Sequence, residues 1–129
     1  MGTWGLGQLE NDAAADVVAD IEEDADSVAR LLAEIKDEIE SEDGFLEAST
    51  GEIAIAMGVL VTGVAIDDDR TWMLAKVRTE LNRDQQAYLR TLIHRVMYDP
   101  NSELAELHNG AGHLDEWRAQ VQPILDAWP

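Results

Sequence analysis

The 129-residue chain contains no cysteine, which excludes disulfides and thiolate metal sites. Lysine is scarce, because only Lys36 and Lys76 are present. The opening, MGTWGLGQLEND, lacks the basic and apolar regions of a secretory signal. The longest uncharged run, 53–66, spans 14 residues, and a membrane helix needs about 20. We therefore expect a cytoplasmic protein without a membrane segment.

The charge balance is the most unusual property of the sequence. There are 27 acidic residues against nine basic ones, which gives a formal net charge of -18. A field of this sign repels nucleic acid phosphates and anionic membranes and attracts basic proteins. The hydrophobic content of 46% is normal for a globular protein. The composition thus argues against nucleic acid and membrane binding, and it favours a basic protein as partner.

The apolar pattern predicts one all-α domain over residues 1–129, a compact bundle of about six helices around an apolar central helix. The predicted central helix runs from about Glu52 to Ile66 and is apolar on all sides, as expected for a buried element. Ala54, Gly58 and Thr62 lie four residues apart, so another helix can approach this side closely. The β-branched residues leave a buried strand as an alternative.

The remaining helices are predicted from apolar spacing and from capping residues. Their expected positions are from Asn11 or Asp12 to about Asp24, from Ser27 to before Gly44, after Asp67–Asp69, from Asp84 to Asp99, from Ser102 to Asn109-Gly110, and a last helix with Leu114 and Trp117 that Pro123 kinks near Ala119.

Three blocks of the sequence together form a recognisable pattern. The opening block pairs Trp-Gly-x-Gly with Asn-Asp-x-Ala-x-Asp, at Trp4, Gly5, Gly7, Leu9, Asn11, Asp12, Ala14 and Asp16. The other two are Glu47-Ala48 before Ala54 and Ala56, and the run from Asn101 to Leu107. The pattern resembles a bacterial family catalogued as domain of unknown function 4259. Leu9 departs from it where an aromatic is usual, and His108 departs where a tryptophan often follows Glu-Leu. The resemblance implies a helical fold and a bacterial-type protein, but the family has no established activity from which residue roles could be taken.

Trp4 and the residues after it form a candidate partner-binding site. An aromatic residue between glycines at a chain end is unusual, because terminal residues are commonly disordered. In the functional interpretation Trp4 joins Asn11, Asp12 and Asp16 in binding a partner. In the structural interpretation, which we favour, Trp4 fills a groove between helices, and Asn11 and Asp12 are helix caps first.

Two sets of residues are candidate metal ligands. Asp12, Asp16 and Asp20 lie four apart, which places their carboxylates on one stripe of the first helix, where oxygen ligands suit a hard cation. His108 and His113 flank a Gly-rich turn and can approach each other, beside Glu106. The more common interpretations are a solvated helix face and two surface histidines. No cofactor is predicted, and the Asp-rich turns lack the glycine and glutamate of a calcium-binding loop.

Three functions are compatible with these observations. The first, which we favour, is a non-enzymatic protein that binds another protein in an immunity-like or regulatory role. The second is a metal-dependent binder or enzyme that uses the carboxylates of the first helix, although no nucleophile elbow or phosphate loop is present. The third is an acidic protein of a halophilic proteome, in which the charge serves solvation. A homodimer through an apolar patch with Trp72 and Trp128 is a further option.

Overall fold

The computed structural model describes residues 12–24, 27–64 and 71–129. Within these ranges the chain forms seven α-helices and no strand, which confirms the all-α prediction, and the seven correspond to the central helix and the six other predicted helices. The helices are α1 (Asp12–Glu23), α2 (Ser27–Ser41), α3 (Ala48–Thr62), α4 (Trp72–Glu80), α5 (Arg83–Tyr98), α6 (Glu103–Gly110) and α7 (Leu114–Asp126). None of the helices in the described ranges has the length and apolar character needed to cross a membrane.

Helix α3 is the centre of the bundle, as the uniform apolar pattern predicted. Each of the other six described helices contacts it. Eight of its residues from Ala54 to Val61 are buried, and burying a large aliphatic side chain stabilises the fold by roughly 1.5–3 kcal/mol. The segment is a helix and not the alternative strand, because it satisfies its own backbone hydrogen bonds while protein surrounds it on all sides.

Gly58 explains how two helices pack closely against α3. A Cβ atom at this position would lie 2.5 Å from Cδ1 of Ile93 in α5 and 3.0 Å from Cγ2 of Ile124 in α7. The absence of a side chain therefore lets both helices approach the same point of α3. This confirms that the small residues mark a close-approach side.

Three helix boundaries differ from the predicted ones for local reasons. Helix α3 begins four residues earlier than expected, and the Glu103 carboxylate accepts a hydrogen bond from the backbone N–H of Ala48 at 2.7 Å. It ends before Ile66, because Gly63 adopts a left-handed conformation with φ of 81°. Helix α5 begins at Arg83 and not at Asp84, since Asn82 and Gln85 form a reciprocal capping box.

The loop that follows α2 makes a backbone connection with the segment that precedes α6. Leu46 pairs with the backbone at Ser102, where Leu46 N–H donates to Asn101 and Glu103 N–H donates to Leu46. Ser102 then caps α6 by accepting from Ala105 N–H. Helix α7 continues through Pro123 to Asp126. The helix expected after Asp67–Asp69 is α4, which begins at Trp72, and the three aspartates themselves lie outside the described residues.

Candidate functional site

The residues predicted for partner binding lie at or before the start of α1. Trp4 and Asn11 are outside the described residues, and the side chain of Asp12 is too, although its backbone begins α1. Asp16 and Asp20 are exposed on α1. The partner role of Trp4, Asn11, Asp12 and Asp16 stays a prediction.

Helices α1 and α2, with the loop that follows to Glu47, form a surface that we call the acidic edge. Residues 12–47 contain 14 acidic and two basic residues. Helix α1 buries Val17 and Ile21, so Asp16, Asp20 and Glu23 point to the exposed side. Helix α2 buries Leu32, Ile35 and Ile39 in the same way and exposes its charged residues. The amphipathic pattern thus collects carboxylates on one side of the molecule.

A groove lies where α1 ends and α2 begins. Its volume is about 310 Å³, and four carboxylates line it, those of Asp20, Glu23, Asp24 and Glu34. Arg30 extends into the same groove, and its Nη2 lies 3.1 Å from Oδ2 of Asp24. No other ion pair in the described ranges involves Asp20, Glu23 or Glu34. The groove therefore holds one guanidinium and keeps an excess of negative charge.

The carboxylates of this groove are too dispersed for a compact metal centre. In the described part of the chain, one group of three or more side chains brings its ligand atoms within 4.8 Å of one another, namely Glu38, Glu42 and Glu47. Asp16 and Asp20 do not belong to it. The sequence pattern does not indicate this group, because Glu47 joins it only through the turn after α2. Exposed acidic groups of this kind are common without an ion.

His108 and His113 meet at the junction of α6 and α7, as their positions around the turn predicted. Nε2 of His113 lies 2.9 Å from Nδ1 of His108, so one nitrogen donates and the other accepts. The His108 ring also stacks on Trp117, with centroids 4.5 Å apart and planes 13° apart. His108 is only 3% exposed. The interpretation as two surface histidines is therefore wrong for His108, because its ring packs into the core beside Trp117.

The surroundings of His108 keep its ring neutral. Burial, and to a smaller extent the nearby His113, lower the pKa of His108 from 6.5 to about 4. Glu106, expected beside the pair, is exposed and does not complete a three-ligand group with it in the described ranges. The neutral, buried His108 ring stacked on Trp117 is a packing arrangement. Together with His113 it offers a metal ion at most two nitrogen ligands.

A second cleft separates α2 from α5 and has a volume of about 280 Å³. Nζ of Lys36 lies 5.4 Å from the centre of the Tyr88 ring at its side. Burial raises the pKa of Tyr88, which Arg95 partly opposes and Glu40 reinforces. Its phenol group therefore stays neutral at physiological pH, and the charged side chains that line the cleft are Lys36 and Asp84.

Comparison with known proteins identifies one family. The family model described as Domain of unknown function (DUF4259) matches residues 2–120. No curated protein and no solved structure matches the chain.

Proposed function

We propose that the chain, which belongs to the DUF4259 family, acts by binding a basic partner protein through its acidic edge. The observation that carries this proposal is the groove between α1 and α2, which Asp20, Glu23, Asp24 and Glu34 line together with Arg30, itself paired with Asp24. The role is non-enzymatic, of an immunity-like or regulatory kind, and the cytoplasm is the compartment expected from the sequence.

The groove suits organic cations better than a metal ion. A divalent ion needs several oxygen ligands within about 2–2.6 Å of itself, and these four carboxylates do not converge to that extent in the described structure. A guanidinium or ammonium group instead spans a wider gap between carboxylates. Arg30 already makes this kind of contact with Asp24 at 3.1 Å, so a partner's arginine or lysine can engage Asp20, Glu23 and Glu34.

The position of the charge also supports a partner. A solvation role predicts acidic residues spread over the whole surface, whereas residues 12–47 hold 14 of the 27. A concentrated patch steers an oppositely charged protein toward one face and raises its association rate. The partner is therefore expected to present a cluster of arginine and lysine side chains.

The experiment compares two variants that remove the same charge. One is Asp20→Asn/Glu23→Gln/Glu34→Gln in the groove; the other is Glu106→Gln/Asp115→Asn/Glu116→Gln, which changes three exposed residues of α6 and α7. Binding of an octa-arginine peptide is measured by titration calorimetry at about 0.1 M and about 0.5 M salt, a range over which surface charges are progressively screened. Proteins that each variant retains from a cell lysate are then identified.

We expect the groove variant to bind the peptide about tenfold more weakly, because exposed ion pairs contribute up to about 1 kcal/mol each. The control variant should keep most of its binding, and one basic protein should be retained by the wild type and the control but not by the groove variant. Equal losses in the two variants would show that only net charge matters. Stability that climbs continuously up to molar salt would favour the halophilic alternative instead.

A further inference from the structure

The largest cavity among those described is lined by basic residues, in contrast to the acidic groove between α1 and α2. It has a volume of about 750 Å³ and is formed by the end of α4, the first turns of α5 and the chain after α7. Its lining includes Arg78, Arg83 and Arg90, together with Gln86 and Trp128. We call it the arginine cavity. Its volume lies in the range of small-molecule sites, about 300–1,000 Å³.

The charge of the arginine cavity contrasts with that of the molecule. Three of the nine basic residues of the chain line it, and no aspartate or glutamate is among its described lining residues. In the described ranges, no ion pair includes Arg78, Arg83 or Arg90. The chain has 27 carboxylate side chains with which arginines could pair, yet none of the described ones forms an ion pair with these three guanidinium groups.

Backbone contacts hold two of the arginines in place while leaving part of each guanidinium available. Nε of Arg78 donates to the carbonyl of Val61 at 2.6 Å, and Nη2 of Arg90 donates to the carbonyl of Leu125 at 3.5 Å. A guanidinium has five N–H donors in a fixed planar arrangement, so further donors remain on both. Such an arrangement favours bidentate contacts with phosphate or carboxylate groups.

Helix α5 adds to the positive potential of the arginine cavity and sets the spacing between Arg83 and Arg90. Arg83 is its first residue, so the positive end of the helix dipole lies at the cavity. Arg83 and Arg90 are seven residues apart on one helix face, which separates them by about 10 Å along the axis. The acidic residue of the first turn, Asp84, lines the cleft between α2 and α5 instead. This separation along the helix favours an extended ligand with several anionic groups.

Trp128 supplies an aromatic wall to the same cavity. It is half-buried and packs against the core beside Gly58. A fixed indole face binds planar rings by stacking, and Trp128 adds an apolar surface to a cavity that otherwise carries three arginines. We propose that the arginine cavity binds a small organic polyanion of the nucleoside phosphate class, with the phosphates on Arg83, Arg90 and Arg78 and the base against Trp128.

Titration calorimetry on the full chain tests this site, at about 0.15 M salt and without divalent cations. The probes are ATP, inorganic tripolyphosphate and citrate, which separate the ring from the anionic groups and phosphate from carboxylate. The variant Arg83→Gln/Arg90→Gln removes two charges from the cavity. Its control, Arg30→Gln/Lys76→Gln, removes two charges from exposed residues elsewhere.

We expect saturable binding of ATP below about 1 mM, a loss of about tenfold or more in the cavity variant, and a change of less than about twofold in the control. Trp128→Leu should weaken ATP but not tripolyphosphate, whereas Trp72→Leu, at an exposed tryptophan of α4, should change neither. Equal binding of ATP and tripolyphosphate, or stronger binding of citrate, would overturn the nucleoside phosphate assignment. Absence of ATP binding, or binding that survives in the cavity variant, would overturn the site itself.

Melting temperatures of all variants establish that each one is folded. Arg83 and Arg90 are exposed, so their variant tests the site even if Trp128→Leu perturbs the packing at Gly58.

Discussion

The acidic edge and the half of the chain from residue 71 onward differ in how they distribute charge. Residues 12–47 carry 14 acidic and two basic residues, whereas residues 71–129 carry eight acidic and six basic ones. The first region gathers carboxylates around a groove, and the second gathers arginines around a cavity. A net charge of -18 therefore describes neither region well, because each collects charges of one sign at its own site.

The two regions also differ in what they bury. The described carboxylates of α1 and α2 are exposed, so their charge is solvated. The region after residue 71 instead buries His108, whose lowered pKa means that its protonation is disfavoured in the folded protein. The charges of the acidic edge are thus solvated at the surface, whereas protonation of His108 would place a poorly solvated charge in the core.

The largest expected effect is a pH dependence of the free energy of unfolding that arises from His108. The unfolded chain protonates His108 near pH 6.5, while the folded protein does so only near pH 4. Between these values the unfolded state binds the additional proton, so stability falls as the pH falls. The full shift corresponds to about 3 kcal/mol in the free energy of unfolding, as an order of magnitude.

His108→Phe isolates this contribution, because phenylalanine keeps a flat ring beside Trp117 and cannot be protonated. Urea unfolding of the wild type and the variant is followed by circular dichroism from pH 7.5 to pH 4. The difference in unfolding free energy should shift in favour of the variant by up to about 3 kcal/mol as the pH decreases. Parallel curves would show that His108 is as accessible to protons in the folded protein as in the unfolded chain.

A smaller effect is expected at α3, which joins the two regions because helices of both contact it. Gly58→Ala places a Cβ atom against Ile93 and Ile124 and should destabilise the protein by about 1–3 kcal/mol, the usual effect of overpacking. Thermal unfolding followed by circular dichroism measures this change.

Gly110→Ala is the matched control for Gly58→Ala. Nothing lies within 4 Å of a Cβ atom at Gly110, so the substitution should raise stability by up to about 1 kcal/mol through helix propensity. If Gly58→Ala instead behaves like its control, α5 and α7 can move away from α3 without loss, and the central helix does not couple the two regions tightly.

The elements that depend on periodicity could be predicted from the sequence. The buried character of α3 and the close approach at Gly58 follow from local spacing, and so does the meeting of His108 with His113 across a short turn. His108 also occupies a position where the family resemblance leads one to expect a tryptophan, and its stacking on Trp117 at 4.5 Å explains why a flat ring fits there.

The sites that depend on distant segments could not be predicted in the same way. The seven-residue spacing of Arg83 and Arg90 was visible, but Arg78 and Trp128 join them only through the packing of α4 and the chain after α7. Likewise, the depressed pKa of His108 results from burial, which charge patterns do not reveal. Helix boundaries shifted where tertiary contacts intervened, as Glu103 does at the start of α3.

The smallest expected effects concern the charges themselves, and they test whether both regions gather unpaired charges. Asp37 on α2 has Glu34 and Glu40 three residues away on either side, so Asp37→Asn should raise stability by a few tenths of a kcal/mol. Arg83→Gln should also raise it, although the charge removed is positive, because Arg83 shares the arginine cavity with two other arginines and lies at the positive end of α5. Arg30→Gln should lower it slightly, because Arg30 is paired with Asp24. Urea unfolding at about 0.05 M and 0.5 M salt measures all three, and the differences should shrink at the higher concentration.

A loss of stability on Arg83→Gln would mean that the acidic field of the whole molecule outweighs repulsion within the arginine cavity, and the two regions would then not be electrostatically separate.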